Sequence, residues 1–66
     1  MRLTVNGEER NIAAASDIAA LIGLLGLDTR KVAVERNLSI VPRSLYGETL
    51  LAEGDRIEIV HFVGGG

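Results

Sequence analysis

The stretch SDIAALIGLLGL, residues 16–27, carries the clearest structural pattern in this 66-residue sequence. Its large apolar side chains at Ile18, Leu21, Ile22 and Leu25 follow the i, i+3, i+4, i+7 spacing that places them on one face of an α-helix. We therefore predict an amphipathic helix over residues 17–25, about 14 Å long at 1.5 Å per residue. This single apolar stripe is expected to supply half of the core.

Both ends of the predicted helix carry boundary signals. Ser16 is the expected N-cap because its hydroxyl can accept a hydrogen bond from the first turn, and Asp17 places negative charge at the positive end of the helix dipole. Gly26 suits the left-handed position that follows a helix, and Leu27 can fold back onto the last turn.

A β-hairpin is predicted before the helix. Residues 2–5 alternate polar and apolar, and Asn6-Gly7 follows them. This dipeptide best tolerates the positive φ angles that both central residues of a type I′ turn require. We expect the return strand over residues 8–12.

Three further strands or connections are predicted after the helix. Residues 31–35 alternate again and predict a strand, which a turn near Arg36 and Asn37 ends. Residues 38–41 predict a short strand that Pro42 confines to an edge, because proline cannot donate to a sheet. The segment 43–51 has no clear period and is expected to be irregular with one helical turn. Its expected core anchors are Leu45, Tyr46 and Leu50.

The last predicted strand covers residues 56–63, after a turn at Glu53-Gly54-Asp55. Because the helix and the strands are segregated, the pattern predicts an α+β fold in which one helix covers one face of a mixed sheet of four to five strands. We expect one domain over residues 1–63 and a flexible glycine tail over residues 64–66. A core of this size provides roughly 3 to 5 kcal/mol of stability.

Composition excludes several classes of function. Seven basic and nine acidic residues give a net charge of −2, too little positive charge for binding a phosphate backbone. Without cysteine and with one histidine, the chain cannot form disulfides, zinc fingers or iron–sulfur sites. The longest apolar stretch, residues 18–27, is about half of the roughly 20 residues that a membrane span needs. We expect a cytoplasmic protein with no nucleic-acid or membrane partner.

Candidates for catalysis or metal binding are few. His61 has no partner nearby in sequence, and we interpret it as a surface or structural residue. Glu53, Asp55 and Glu58 cluster around a turn, where we interpret Asp55 as the turn former and both glutamates as solvated. We therefore predict no catalytic residue and no metal site, and expect that the chain is not an enzyme.

The last strand carries a signal for partner binding. After Glu58, its outward side continues with Val60 and Phe62, so a face that should be polar becomes apolar. An exposed apolar patch of this kind is a candidate docking surface for another protein. The alternative is a second small core cluster packed against residues 43–51.

Gly64, Gly65 and Gly66 form the predicted tail. Without side chains, such a tail can pass through a slot that is too narrow for other residues. Its functional group is the α-carboxylate of Gly66, which is ionised at neutral pH because its reference pKa is about 3.3 to 3.7. A carboxylate becomes electrophilic once a partner converts it to an acyl-adenylate. The alternative is an expression remnant or a frayed linker.

The run GDRIEIVHFVGGG at residues 54–66, preceded by VERN at 34–37 and IVPR at 40–43, resembles the sulfur carrier proteins of thiamin biosynthesis. These are ubiquitin-like β-grasp proteins, and the resemblance spans the whole chain. It implies that an activating enzyme of the ubiquitin-activating type adenylates the Gly66 carboxylate with ATP and magnesium. Sulfur from a cysteine desulfurase pathway then displaces AMP, and the resulting thiocarboxylate donates sulfur to thiazole synthase.

Related functions stay open beside this resemblance. Carriers for molybdopterin synthesis or tRNA thiolation share the fold and the terminal Gly-Gly. A protein modifier that forms isopeptide bonds is a further alternative, although Lys31 is the one lysine available for building chains. A pure interaction module would use the sheet face and leave the tail idle.

Overall fold

A computed structural model describes residues 1–62, which form one helix packed on a five-stranded mixed sheet. The strands are β1 (Arg2–Val5), β2 (Glu8–Asn11), β3 (Val32–Arg36), β4 (Ser39–Val41) and β5 (Arg56–His61), and the helix is α1 (Ile18–Leu24). Short 3₁₀ turns cover Thr29–Lys31 and Arg43–Leu45. The α+β β-grasp class predicted from the sequence is confirmed. The glycine tail lies outside the described residues, and the domain boundary after residue 63 stays a prediction.

The sheet order is β2-β1-β5-β3-β4. Strand β5 is therefore central, although it is last in the chain. It runs parallel to β1 and antiparallel to β3, and the two outer pairs are antiparallel. The predicted first hairpin is confirmed, with Asn6 at φ 50° and Gly7 at φ 82° in its turn.

The helix ends where the glycine signal indicated, but its N-cap differs from the prediction. The Asp17 side chain, and not that of Ser16, accepts from the Ala20 amide at 2.7 Å. Ser16 instead donates its hydroxyl to the Ala13 carbonyl at 2.7 Å, so it closes the preceding turn. At the other end, Gly26 has φ 74°. Leu27 folds back and its amide donates to the Ile22 carbonyl at 3.1 Å, as expected of a helix that glycine terminates.

The core lies between α1 and the inner face of the sheet. Seven side chains in it are almost completely inaccessible to solvent: Leu3, Ile18, Leu21, Ile22, Val32, Val34 and Ile57. The predicted helix stripe is thus confirmed, with Leu25 packed at the margin of the core. Within residues 1–62, no helix combines the length and the apolar content needed to cross a membrane.

Segment 43–51 is anchored differently from the prediction. Tyr46 is buried as expected, and its hydroxyl donates to the Val32 carbonyl at 3.2 Å. Leu45 and Leu50 are exposed, and Leu51 enters the core instead. Leu50 forms an extended bridge with Asp17, and successive residues of an extended backbone point to opposite sides. Since Leu50 points outward, its neighbour Leu51 points inward.

The β3–β4 turn is centred on Asn37 and Leu38, one residue later than predicted. Both have positive φ, at 51° and 72°. Leucine is unfavourable in this conformation because its Cβ crowds the following carbonyl. Because Leu38 belongs to the turn, the fourth strand begins at Ser39 and not at Leu38.

Candidate functional site

Strand β5 leads directly to the glycine tail and is held on both sides. Thr4 and Val5 of β1 pair with Arg56 and Ile57 on one side. On the other side the pairing with β3 continues as far as Val32 opposite His61. Beyond the strand, the Phe62 amide donates to the Lys31 carbonyl at 2.7 Å. The backbone is therefore fixed up to the last residue that the structure describes.

Asn6 continues the hydrogen bonding between β1 and β5 beyond the last residue of β1. Its amide donates to the Ile57 carbonyl at 2.9 Å. Its side chain then acts like a further strand residue: Oδ1 accepts from the Ile59 amide at 2.7 Å and Nδ2 donates to the Ile59 carbonyl at 3.1 Å. The sequence analysis assigned Asn6 only a turn role and missed this clamp.

A hydrogen-bonded network around Asp55 holds the start of β5. The Asp55 carboxylate accepts from Arg36 Nε and the Ala52 amide at 2.8 Å each, and from Asn37 Nδ2 at 3.0 Å. Asn37 in turn exchanges two hydrogen bonds with the backbone of Arg56, at 2.8 and 2.9 Å. The β3–β4 turn is thereby tied to the first residue of β5.

Asp55 is only 6% exposed. Burial acts to raise its pKa, but the hydrogen bonds from Asn37, the Ala52 amide and Arg36, with the positive charge of Arg36, outweigh burial and lower the pKa overall. The carboxylate is therefore ionised at neutral pH. This agrees with a turn-forming role for Asp55, and the described residues contain no cluster of His, Cys, Asp or Glu that could hold a metal ion.

The two sides of β5 differ as the sequence pattern predicted. Ile57 and Ile59 are buried against the helix. On the other side Glu58 is half-buried, Val60 is 60% exposed and Phe62 is 46% exposed. The alternative of a second core cluster is therefore wrong. The role of these three residues in docking stays a prediction.

Residues of β3 and β4 extend this outward side into a larger surface. Ala33 lies opposite Val60 and Glu35 lies opposite Glu58, while Ile40 of the edge strand lies opposite Glu35 and is 79% exposed. We call this surface the open face; it is formed by Ala33, Glu35, Ile40, Glu58, Val60 and Phe62. The sequence analysis missed its β3 and β4 members because they become neighbours of β5 only through the sheet order.

The remaining predicted site residues take no part in a catalytic arrangement within the described part of the chain. His61 is exposed at the end of β5. Glu53 is exposed and accepts from the Arg2 amide at 2.8 Å. Gly64, Gly65 and Gly66, the predicted reactive tail, lie outside the described residues.

A small sheet with a central last strand parallel to the first, covered on one side by one helix, defines a β-grasp domain of the ubiquitin-like class. The chain belongs to the ThiS family, whose family model matches residues 3–66. The match begins within β1, at Leu3, and continues through β5 and the glycine tail.

Solved and curated relatives agree with this assignment. The crystal structure of the thiamine biosynthesis protein ThiS from Geobacter metallireducens superimposes with a TM-score of 0.84 at 32% identity and covers 100% of both chains. The sulfur carrier protein ThiS of Bacillus subtilis is 47% identical over 49 residues, 74% of each chain. These findings confirm the resemblance stated from the sequence.

Two further relatives are much longer proteins. A thiazole synthase of Paramagnetospirillum magneticum is 58% identical over all 66 residues, and one of Magnetococcus marinus is 47% identical over the same length. The match covers 100% of this chain and 20% of either thiazole synthase. The chain therefore spans about a fifth of the length of these relatives.

Proposed function

We propose that this chain is a sulfur carrier in thiamin biosynthesis that carries sulfur on the carboxyl group of Gly66. The observation that carries the proposal is the ThiS family match, which runs through the glycine tail to residue 66. The absence of cysteine from the sequence supports the same assignment, because a chain without a thiol can hold transferable sulfur on an activated carboxyl group. The chain acts as a co-substrate of other enzymes and not as an enzyme.

Three chemical steps load the carrier. In the first, a Gly66 carboxylate oxygen attacks the α-phosphorus of ATP in an adenylating enzyme, and pyrophosphate leaves. In the second, the terminal sulfur of a persulfide, supplied by a cysteine desulfurase, attacks the acyl carbon and AMP leaves. A thiol then reduces the resulting acyl disulfide and releases the thiocarboxylate. ATP and magnesium belong to the adenylating enzyme in this scheme, and this chain binds no cofactor itself.

The described structure supports this chemistry by fixing the chain as far as Phe62. Asn6 and Lys31 hold the backbone of β5 and of the residue after it. One residue, Val63, separates this anchor from the three glycines at 64–66. The acceptor of the sulfur is thiazole synthase, a proposal supported by the two thiazole synthases that contain a similar segment. Since the adenylating enzyme uses ATP, we expect these reactions in the cytoplasm.

Sulfur loading tests the proposal directly. The chain is incubated with a ThiS-type adenylating enzyme, ATP, magnesium, a persulfide donor and a reducing thiol, and its intact mass is measured. We expect a mass increase equal to the exchange of one oxygen for one sulfur, and none when ATP is omitted or Gly66 is deleted. If Bacillus subtilis ThiS is loaded by its own adenylating enzyme in the same assay while this chain is not loaded, the carrier function is wrong.

Transfer distinguishes the pathways. The loaded chain is offered to thiazole synthase and, separately, to the acceptor enzymes of molybdopterin synthesis and tRNA thiolation. Sulfur delivery to thiazole synthase alone supports a thiamin carrier. Delivery to another acceptor alone would move the chain to that pathway, and isopeptide conjugates in place of a thiocarboxylate would identify a modifier.

Phe62→Ser tests the docking role of the open face. We expect the variant to bind the adenylating enzyme or thiazole synthase about tenfold to a hundredfold more weakly, because burying a phenylalanine side chain stabilises a complex by roughly 1.5 to 3 kcal/mol. The control is Leu24→Ser, which removes an exposed side chain from the helix on the opposite side of the sheet. Unchanged binding in calorimetry would remove Phe62 from the interface. Circular dichroism should show that the variant folds, because Phe62 lies on the exposed side of the sheet.

A further inference from the structure

The open face places two like charges directly opposite each other. Glu35 of β3 and Glu58 of β5 are antiparallel cross-strand partners, so their side chains share one face with Cβ atoms about 4.5 to 5.5 Å apart. Like charges in this arrangement repel and destabilise the isolated sheet. No element covers this face within residues 1–62, since the single helix lies on the other side.

Cations in the described residues compensate this pair only in part. Arg56 Nε lies 3.5 Å from Glu58 Oε1, and the Arg56 side chain is largely accessible to water while that of Glu58 is half-buried. Glu35 forms no ion pair within residues 1–62. The half of the open face on β3 and β4 therefore stays negative.

Apolar side chains surround the two carboxylates. Ala33 and Val60 form the adjacent cross-strand pair, and Ile40 lies on the far side of Glu35. Val60, Phe62 and Ile40 are the exposed apolar anchors of the face. An acidic centre within an apolar surface is complementary to a basic centre within an apolar surface.

We infer that the open face docks on an apolar surface of thiazole synthase that presents an arginine or lysine side chain between Glu35 and Glu58. The inference rests on the proposed function and names the chemistry that the partner must offer. Thiazole synthase is favoured over other partners because two thiazole synthases contain a segment similar to this whole chain as part of a longer protein. In such a protein the two parts share one chain, which raises their effective concentration.

A second copy of this chain fits the face poorly. Stacking two open faces would bring four carboxylates together around a two-fold axis. Arg56, the cation nearest to them, already lies beside Glu58 of its own chain. The charge pattern therefore favours a basic partner over self-association.

Glu35→Lys separates docking from folding because the two properties should change in opposite directions. In the free chain the new lysine faces Glu58, which replaces repulsion by attraction, so the midpoint of thermal unfolding should rise. Binding to thiazole synthase, measured by calorimetry, should weaken about tenfold or more because the lysine faces the partner's cation. The wild-type affinity should also fall as salt increases.

Glu48→Lys is the matched control. Glu48 is exposed in segment 43–51, which packs beside the helix and away from the open face. The substitution changes the net charge by the same amount as Glu35→Lys. Its affinity for thiazole synthase should stay within about twofold of the wild type.

Parallel sulfur loading keeps this inference distinguishable from the proposed function. If the wild-type chain is loaded with sulfur but Glu35→Lys binds thiazole synthase as tightly as wild type, the inference is overturned and the carrier function stands. Weaker loading of Glu35→Lys with unchanged binding to thiazole synthase would also overturn it, because the face would then serve the adenylating enzyme. Dimerisation of the wild-type chain through this face in sedimentation would do the same.

Discussion

Replacing Asp55 by alanine is expected to remove about half or more of the free energy of unfolding. The change deletes the acceptor of hydrogen bonds from Arg36, Asn37 and the Ala52 amide. Loss of a buried, hydrogen-bonded carboxylate of this kind costs about 2 to 3 kcal/mol after water has rehydrated part of the donors. A domain of this size has roughly 3 to 5 kcal/mol in total.

Urea unfolding followed by circular dichroism measures the effect. Glu53→Ala is the control, since Glu53 is an exposed carboxylate with a single hydrogen bond, from the Arg2 amide. We expect its cost to stay below about 1 kcal/mol. If Asp55→Ala does not fold at all, Asp55→Asn replaces it, because the amide keeps the shape of the side chain. A stability within error of wild type for both Asp55 variants would refute a structural role for the network.

The same network makes stability depend on pH. Because the folded-state pKa of Asp55 is lowered, ionised Asp55 stabilises the fold fully above its unfolded value, about 3.9. This contribution is lost as the pH falls through the lower folded-state pKa. The difference in unfolding free energy between wild type and Asp55→Asn should therefore be constant near neutral pH and shrink below about pH 4. The comparison isolates Asp55 from other carboxylates such as Asp28, whose pKa a hydrogen bond from the Arg30 side chain helps to lower to about 2.

Replacing Gly65 by valine is expected to reduce sulfur loading on the order of 10²-fold, the size of effect that a misplaced reacting group produces. In the proposed reaction the Gly66 carboxylate must reach the α-phosphorus of ATP inside the adenylating enzyme. A branched side chain next to the reacting residue obstructs a passage shaped for glycine, and its restricted backbone disfavours conformations that glycine adopts. The rate of pyrophosphate release measures the first step.

Stability should not change in this variant, because among the described residues 1–62 the core extends no further along the chain than Ile59. Gly47→Val is the matched control. Gly47 has open space around the position of a new Cβ and a φ outside the left-handed region, so valine is accommodated and loading should match wild type. Full loading of Gly65→Val would show that the passage does not require glycine and would weaken the proposed role of the tail.

Local features of the sequence predicted the elements well, and the errors arose where nonlocal contacts chose between neighbours. Ser16 and Asp17 are both good N-caps by residue type. Asp17 took the position because the backbone of Ser16 is engaged elsewhere, where its carbonyl accepts from the Leu51 amide at 2.9 Å. In the same way, residue type cannot distinguish Leu50 from Leu51, whereas the bridge between Leu50 and Asp17 does.

In the candidate site too, local patterns were predicted correctly and contacts between distant strands were missed. The outward pattern of Val60 and Phe62 was visible in the sequence, because it depends only on alternation along one strand. Ile40 and Glu35 could not be assigned to the same surface, since they lie on strands about 20 residues away whose order no local signal specifies. Asn6 was predicted as a turn residue, but its clamp on Ile59 spans 53 residues of sequence.

By itself, the sequence determined the helix stripe, the first hairpin, the α+β class and the family resemblance of the residues around the glycine tail. These follow from periodicity, turn chemistry and residue identity, which act over a few neighbouring residues. Only the tertiary structure decided that β5 is central, that Asp55 ties its start to the β3–β4 turn, and that Glu35 meets Glu58 on an uncovered face. Those features depend on which distant strands become neighbours, and the burial of the whole core selects that arrangement.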